Sequence, residues 1–429
     1  MGFLDFLSKK QVKEPEINYE AIIANCWNIF RQGLKHPNPA IRRTVEQSVW
    51  NIDTPEGKRF FATGMQEPDI NNKIFCLEKL YERGGWRLSE NLIKIALDDD
   101  QDISLEQREE IIYFLGVFSD SNSADFLLAG LKHKELRLRI AILFAISGVK
   151  GSQSIAQIEE HLKTVTDDFE KFACGIALYQ FNKNEGKNIV DEFFSNTNEP
   201  KIEYLQKLKF IDFNKAQIYF NQFSKSNDEV KKTIIRMIED NRGIDLIKLF
   251  LHDSSNDVAN TAINQVIQIG SRSTIDIIKQ LKNNPALEKN VKYALAAFSD
   301  KEAIKELEDK VKNSSLEFDT LEDLQVLGLI NDQNVSEILD KILISIDNID
   351  NCSDQQLEKI KVAIQILIKF GKMSSIIIID KYCSLKYLEN EDIKRWELSC
   401  NSAAAILCTA ERNTTYYTLR KKVQDEQQQ

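Results

Sequence analysis

"YFLGVFSD" at residues 113–120 and "YALAAFSD" at residues 293–300 share five letters of eight across roughly 180 residues. Around the first, Ile111, Leu115 and Phe118 fall at i, i+4 and i+7. Around the second, Val291, Leu295 and Phe298 do the same. That spacing lays out one face of a helix. Polar residues then break each pattern, "SDSNS" in the first and "SD" in the second. A further apolar-periodic run follows, "ADFLLAGL" or "KEAIKELEDKV". Ser299 and Glu302 have the spacing of a capping box. Each stretch therefore reads as the end of one helix, a tight turn and the start of the next. Leu115, Leu295, Phe118 and Phe298 are expected in the core, with the Ser-Asp pairs turning the chain.

The same register recurs along the chain. Ile41, Val45, Val49 and Ile52 precede "DTPEGKRFF"; Leu136, Ile140 and Phe144 precede "SGVKGSQSIAQIEEHL". Val230, Ile234 and Ile238 precede "NRGIDLIKLFL"; Val258, Ala262, Val266 and Ile269 precede "GSRSTIDIIKQL". Helix ends are expected near 52, 80, 118, 147, 181, 211, 241, 269, 298, 330, 370 and 410, steps of about 28 to 40 residues. Roughly 30 residues make one helix, a turn, a second helix and a loop. A recurring period of that size is the mark of a solenoid. The expected fold is all-α, about a dozen stacked antiparallel helix pairs.

"NPAIRRTVEQSV" (38–49), "KELRLRIAILFAISG" (134–148) and "NDVANTAINQVIQIG" (256–270) resemble the first helices of HEAT and HEAT-like repeats. The resemblance covers roughly residues 20 to 412, and 201–225 departs from it by being aromatic-rich and irregular. It implies a right-handed α-solenoid whose extended face binds another molecule. In that family an Arg such as Arg42, Arg43, Arg137 or Arg139 commonly makes an inter-repeat ion pair or hydrogen bond. The expected division is a short amphipathic segment and linker at 1–16, the array at 17–412, and a cap with a polar tail at 413–429. Stacking demands a polar edge at each end of such an array.

Composition agrees. Of 429 residues 28% are charged and 42% hydrophobic, with only 16 Gly and 7 Pro, so helix formers dominate. A formal net charge of −10 argues against broad binding to nucleic acid, which rests on neutralising phosphates. The seven Cys are scattered with no CxxC, which suits reduced thiols in the cytoplasm. The four His are isolated, so no metal site assembles from spacing, and no cofactor is expected. "SSIIIID" (374–380) is far short of a membrane span. "MGFLDFLSKK" at the start offers Phe3, Leu4, Phe6 and Leu7 as an amphipathic turn, the one candidate membrane contact. Packing is the preferred reading, and Phe6 stands where a myristoylation motif after Gly2 wants Ser or Thr.

Candidate chemistry is thin. No Walker, GxSxG, HExxH or EF-hand signature occurs. "RGGW" (83–86) reads as a helix C-cap and turn. "DDDQDISLEQREE" (98–110) holds seven carboxylates and one Arg. It reads as a solvated connection that caps the next helix, with an acidic docking patch at Asp98, Asp99 and Asp100 as the alternative. In "HPNPAIRR" (36–43), Arg42 and Arg43 could contact an acidic peptide, though a structural role is preferred. Trp396, with "KRWELSCNSAAAILCTAERNTTYYTLRKK" (394–422), either packs as a cap or anchors a partner. His252-Asp253 lacks the further His and Asp of a phosphohydrolase.

The reading that follows is a non-enzymatic cytoplasmic scaffold or adaptor. It would hold a protein or peptide on the concave face made by second helices such as 123–132, 152–163, 243–251, 273–282 and 302–312. Two other classes remain: a HEAT-like enzyme of the DNA glycosylase or bilin lyase kind, and an adaptor tied to membranes through residues 1–10.

Overall fold

The computed structural model describes residues 18–52, 54–82, 89–100, 102–117, 123–149, 153–195, 197–313, 321–329, 333–346, 349, 352–383 and 392–427. Among the described residues there are 24 α-helices and no strand. They are α1 (Tyr19–Gly33), α2 (Pro39–Trp50), α3 (Pro55–Ala62), α4 (Ile70–Glu82), α5 (Ser89–Leu97), α6 (Leu105–Val117), α7 (Ser123–Gly130) and α8 (Leu136–Gly148). Then come α9 (Gln153–Leu162), α10 (Asp168–Gln180), α11 (Asn184–Phe194), α12 (Ile202–Gln206), α13 (Phe213–Phe223), α14 (Asp228–Met237), α15 (Ile244–Leu251) and α16 (Asn256–Ile269). The last eight are α17 (Ile275–Gln280), α18 (Glu288–Ala297), α19 (Lys301–Asn313), α20 (Leu321–Leu327), α21 (Gln333–Ile344), α22 (Asp354–Phe370), α23 (Met373–Asp380) and α24 (Ile393–Gln427). None of them is long and apolar enough to cross a membrane. The chain divides into two compact units: Arg59–Val335, and the two terminal segments up to Lys58 and from Ser336.

In the unit of residues 59–335 the even-numbered helices pack in chain order. α4 lies on α6, α6 on α8 and α8 on α10; after α12 the series continues through α14, α16, α18 and α20. The odd-numbered helices pack beside their sequence neighbours, as α7 does on α8 and α11 on α10. The periodic faces cause this. Ile111, Leu115, Leu138, Phe144, Leu178, Ile234, Val258, Val266, Val291 and Leu295 are all buried. Each such side chain contributes about 1.5–3 kcal/mol on leaving water. α8 is buried nearly all round, with every residue from Ile140 to Ser147 inside. Phe298 is buried, while Phe118, Ser119, Asp120 and the "RGGW" stretch lie outside the described residues.

The turn after α18 corrects one expectation. Ser299 sits in the left-handed region at φ 71° and serves as the residue just past the helix end. The Asp300 amide donates to the Leu295 carbonyl at 2.9 Å and the Ser299 amide to Ala296 at 2.9 Å, closing a Schellman motif. The N-cap of α19 therefore falls one residue later than the capping-box spacing suggested: Asp300 Oδ1 accepts from the Ala303 amide at 3.2 Å. Asn182 (φ 62°) and Gly270 (φ 71°) end α10 and α16 in the same left-handed way.

The other unit draws on both chain termini. α24 packs on α22 and α23, which precede it, and also on α1 and α2. Trp396, Leu398, Cys400 and Ala403 to Leu407 are buried along it. Small residues in "SCNSAAA" let four helices approach one helix closely. The expected helix end near 410 does not occur, because α24 continues to Gln427. The side chains of the cap and polar tail expected at 413–429 lie outside the described residues. α1 and α2 pack directly on α24. They share a core in which Cys26 and Cys383 bring their sulfurs to 3.9 Å across 357 residues of sequence.

Candidate functional site

Residues 201–225, the stretch that departs from the repeat, build one wall of a groove in the unit of residues 59–335. α12 is only five residues long and passes into a 3-10 turn, Lys207–Phe210. The turn sends Phe210 back to α8. Its ring stacks on Phe144 (centroids 5.0 Å, 21°) and on Tyr113 (5.4 Å, 30°). The space left beside the turn is a groove of about 560 Å³ lined by the ends of α6, α8 and α10, the turn, α13 and residues 237–242. A close helix crossing forms part of its wall. A Cβ on Gly148 would stand 2.1 Å from the Gly116 carbonyl oxygen, and one on Gly116 would stand 2.5 Å from Ala145 Cα. Only glycine permits α6 and α8 to touch there.

Polar side chains pin the turn in place. The Ser147 hydroxyl lies 2.6 Å from the Phe144 carbonyl and 2.9 Å from the Phe210 carbonyl. The Asp212 amide donates to Gln180 Oε1 at 2.7 Å. Lys215 Nζ donates to the Tyr179 and Gln180 carbonyls at the C-terminal end of α10. Lys207 Nζ donates to the Tyr113 hydroxyl at 3.1 Å and stands 4.6 Å from the centre of that ring. Burial lowers the Lys207 pKa, and the neighbouring Lys209 pushes it the same way. Burial also raises Tyr113, with Glu109 adding to the effect, so its hydroxyl stays protonated. Across the groove Arg242 closes on Asp240 at 2.7 Å and lies over the Phe213 ring, and Glu239 is exposed.

The residues singled out from sequence lie elsewhere. Arg42 is 8% exposed and donates to the His36 and Pro37 carbonyls, both at 2.8 Å. Arg139 repeats this with His133 and Lys134, and also pairs with Glu170 of the next repeat at 2.7 Å. Arg43 is half-buried on α2. Arg137 pairs with Glu106 and Glu109 of the preceding repeat. Asp98 gives its carbonyl to Arg108 and its carboxylate to the Asp100 amide. Asp99 pairs with Arg108 and Lys134, and the Lys134 hydrogen bond, then that of Arg108, lowers its pKa. Asp100 is exposed. Much of the acidic stretch therefore braces one repeat against the next.

Trp396 is 1% exposed and meets His36 edge-on at 5.5 Å, inside the core of its unit. Arg42 and Trp396 are thus spent on packing, and neither offers a contact surface. Asp253 of the His-Asp pair binds Lys231 at 2.9 Å. Among the described residues no cluster of His, Cys, Asp or Glu is placed to hold a metal. The second helices expected to carry function, 123–132, 152–163, 243–251, 273–282 and 302–312, give the groove no lining; it draws on the ends of α6, α8 and α10 and on α13. Tyr113, Lys209 and Phe210 went unnoticed as site residues, although the aromatic-rich irregularity at 201–225 marked the place of the last two.

No family model matches the chain, and no curated protein matches it. Among solved structures, the crystal structure of an engineered protein matches over 91% of this chain and 99% of its own, at 15% identity and a TM-score of 0.25. A likeness that weak bears on neither fold nor function.

Proposed function

We propose that this chain is a non-catalytic, HEAT-like α-solenoid that works as a cytoplasmic scaffold or adaptor, holding a peptide segment of another protein. The observation that carries the reading is the groove beside the Lys207–Phe210 turn. An apolar, aromatic floor is bordered there by charged side chains, and side-chain bonds fix its shape before any partner arrives. The sequential packing of even-numbered helices in residues 59–335 supports a helical-repeat architecture. Seven free cysteines suit a reducing compartment.

A photo-crosslinking residue placed at Lys209 in the native cell tests this. The expected result is covalent capture of a recurring protein that the same probe at exposed Lys305 does not capture. Equal capture at both positions, or none at Lys209, overturns the reading.

A further inference from the structure

Four helices of the unit of residues 59–335 end at the groove. The last turns of α6, α8, α10 and α14 all reach its lining. A helix C-terminus carries about half a negative charge on its free carbonyls, so each favours a cation nearby. The chain already answers one of them: Lys215 Nζ donates to the Tyr179 and Gln180 carbonyls at the end of α10. One helix, α13, begins there, and Asp212 caps it by accepting from the Asn214 amide at 2.9 Å. The side chains lean the same way. Asp212, Glu239 and Asp240 line the groove against Lys209 and Arg242. Arg242 is spent on Asp240, whose two carboxylate oxygens it meets at 2.7 to 3.1 Å. Glu239 is exposed, and among the described residues it pairs with no cation. Val117, 69% exposed, adds apolar surface to the same lining.

We infer that the groove takes a basic segment of a protein partner, whose Lys or Arg side chain is held by Glu239 and the converging helix ends while a neighbouring apolar side chain rests on the lining that includes Val117 and Phe213. The inference rests on the scaffold reading above and names the partner's chemistry. Charge complementarity argues for it: three carboxylates line the groove against two cations, and four helix C-termini add partial charge of the same sign. An acidic segment or a nucleic acid would bring its own negative charge to both. Lys209 sets the limit on the occupant. It is exposed, its ammonium lies 5.2 Å from the Phe210 ring centre, and it repels any second cation placed beside it. The occupant is therefore a short basic patch with apolar neighbours, and a long polycation is disfavoured.

Peptides selected by display against the full chain provide the test, with binding measured by fluorescence anisotropy on the chain, on Glu239→Lys and on Lys209→Gln. Circular dichroism checks that each variant remains folded, and Asp276→Lys, at an exposed position of α17 outside the groove, is the charge control. Selected peptides should share a Lys or Arg beside an apolar residue and should bind less tightly as salt rises. Glu239→Lys should weaken them about tenfold or more, Asp276→Lys should leave them unchanged, and Lys209→Gln should tighten them. Replacing the peptide's basic residue by Gln should cost affinity on the chain and not on Glu239→Lys. Peptides that compete with crosslinking at Lys209, yet lack a basic residue, ignore Glu239→Lys or weaken on Lys209→Gln, overturn this inference and leave the scaffold reading standing. Failure to select any peptide that competes at Lys209 counts against the scaffold reading, and the inference falls with it.

Discussion

In residues 59–335 a helix of the even-numbered row meets the helix two places further along the chain, whereas α24 meets α1 and α2 from the opposite end of the sequence. Both cores use the same side chains, Ile, Leu, Val, Phe and Ala. What differs is the chain length that must be closed before burial begins. A sequential row adds one pair at a time, each at the small cost of a short loop. The unit formed by the two terminal segments has no such route, since α24 is separated from α1 and α2 by the whole of residues 59–335.

The sharpest way to break the comparison is to end the chain at Asp392, removing α24. α1, α2, α22 and α23 would then expose the faces that Trp396, Leu398, Cys400 and Ala403 to Leu407 now cover. Hydrogen exchange should show complete loss of amide protection over residues 19–50 and 354–380, with residues 59–335 still protected. Persistent protection of α1 and α2 would mean that they fold without α24, and the contrast would collapse.

A smaller change keeps both units folded and compares how damage spreads. Trp396→Ala and Phe172→Ala each remove a buried ring and should each cost about 3–5 kcal/mol in chemical denaturation. The Trp396 loss should reach α1 and α2 by hydrogen exchange. Phe172 touches Phe169, Phe193, Phe194 and Tyr204, so its loss should stay within α10, α11 and α12. Equal spread from both positions would contradict the difference in construction.

The sequence made one kind of core readable and hid the other. A 3.6-residue period reports which face of a helix is buried, so Leu115, Leu295 and Val266 could be placed directly. It says nothing of what covers that face, which is why "SCNSAAAILC" gave no sign of α1 and α2. The paired motifs teach the same lesson at the level of one atom. The Tyr293 hydroxyl donates to Asp323 at 2.9 Å, and Lys310 makes a close ion contact with the other oxygen of that carboxylate. Tyr113, its counterpart in the other motif, instead accepts from Lys207. Identical letters at one helical position acquire different work from partners that no spacing rule names. The groove was legible only as a disturbance, because a short helix and a 3-10 turn have no period to read.

The smallest effect concerns pH and separates the half-buried lysine of the Lys207–Phe210 turn from a lysine of the other unit. Lys381 spends its donors on the Leu343 and Ile346 carbonyls, while Lys207 has one hydroxyl and three ring faces. Lys207 is lowered below its ordinary 10.5 when folded. Between that lowered value and 10.5 the unfolded chain binds the extra proton, so its contribution to stability grows as pH rises through this window and is lost as pH falls. Tyr113 acts in the opposite sense above about pH 10, because its folded value is raised, which sets the upper limit of a clean measurement. The difference in unfolding free energy between the chain and Lys207→Met should therefore shift in favour of the chain as pH rises towards about 10. A flat difference would mean that water solvates Lys207 fully, and the contrast with Lys381 would vanish.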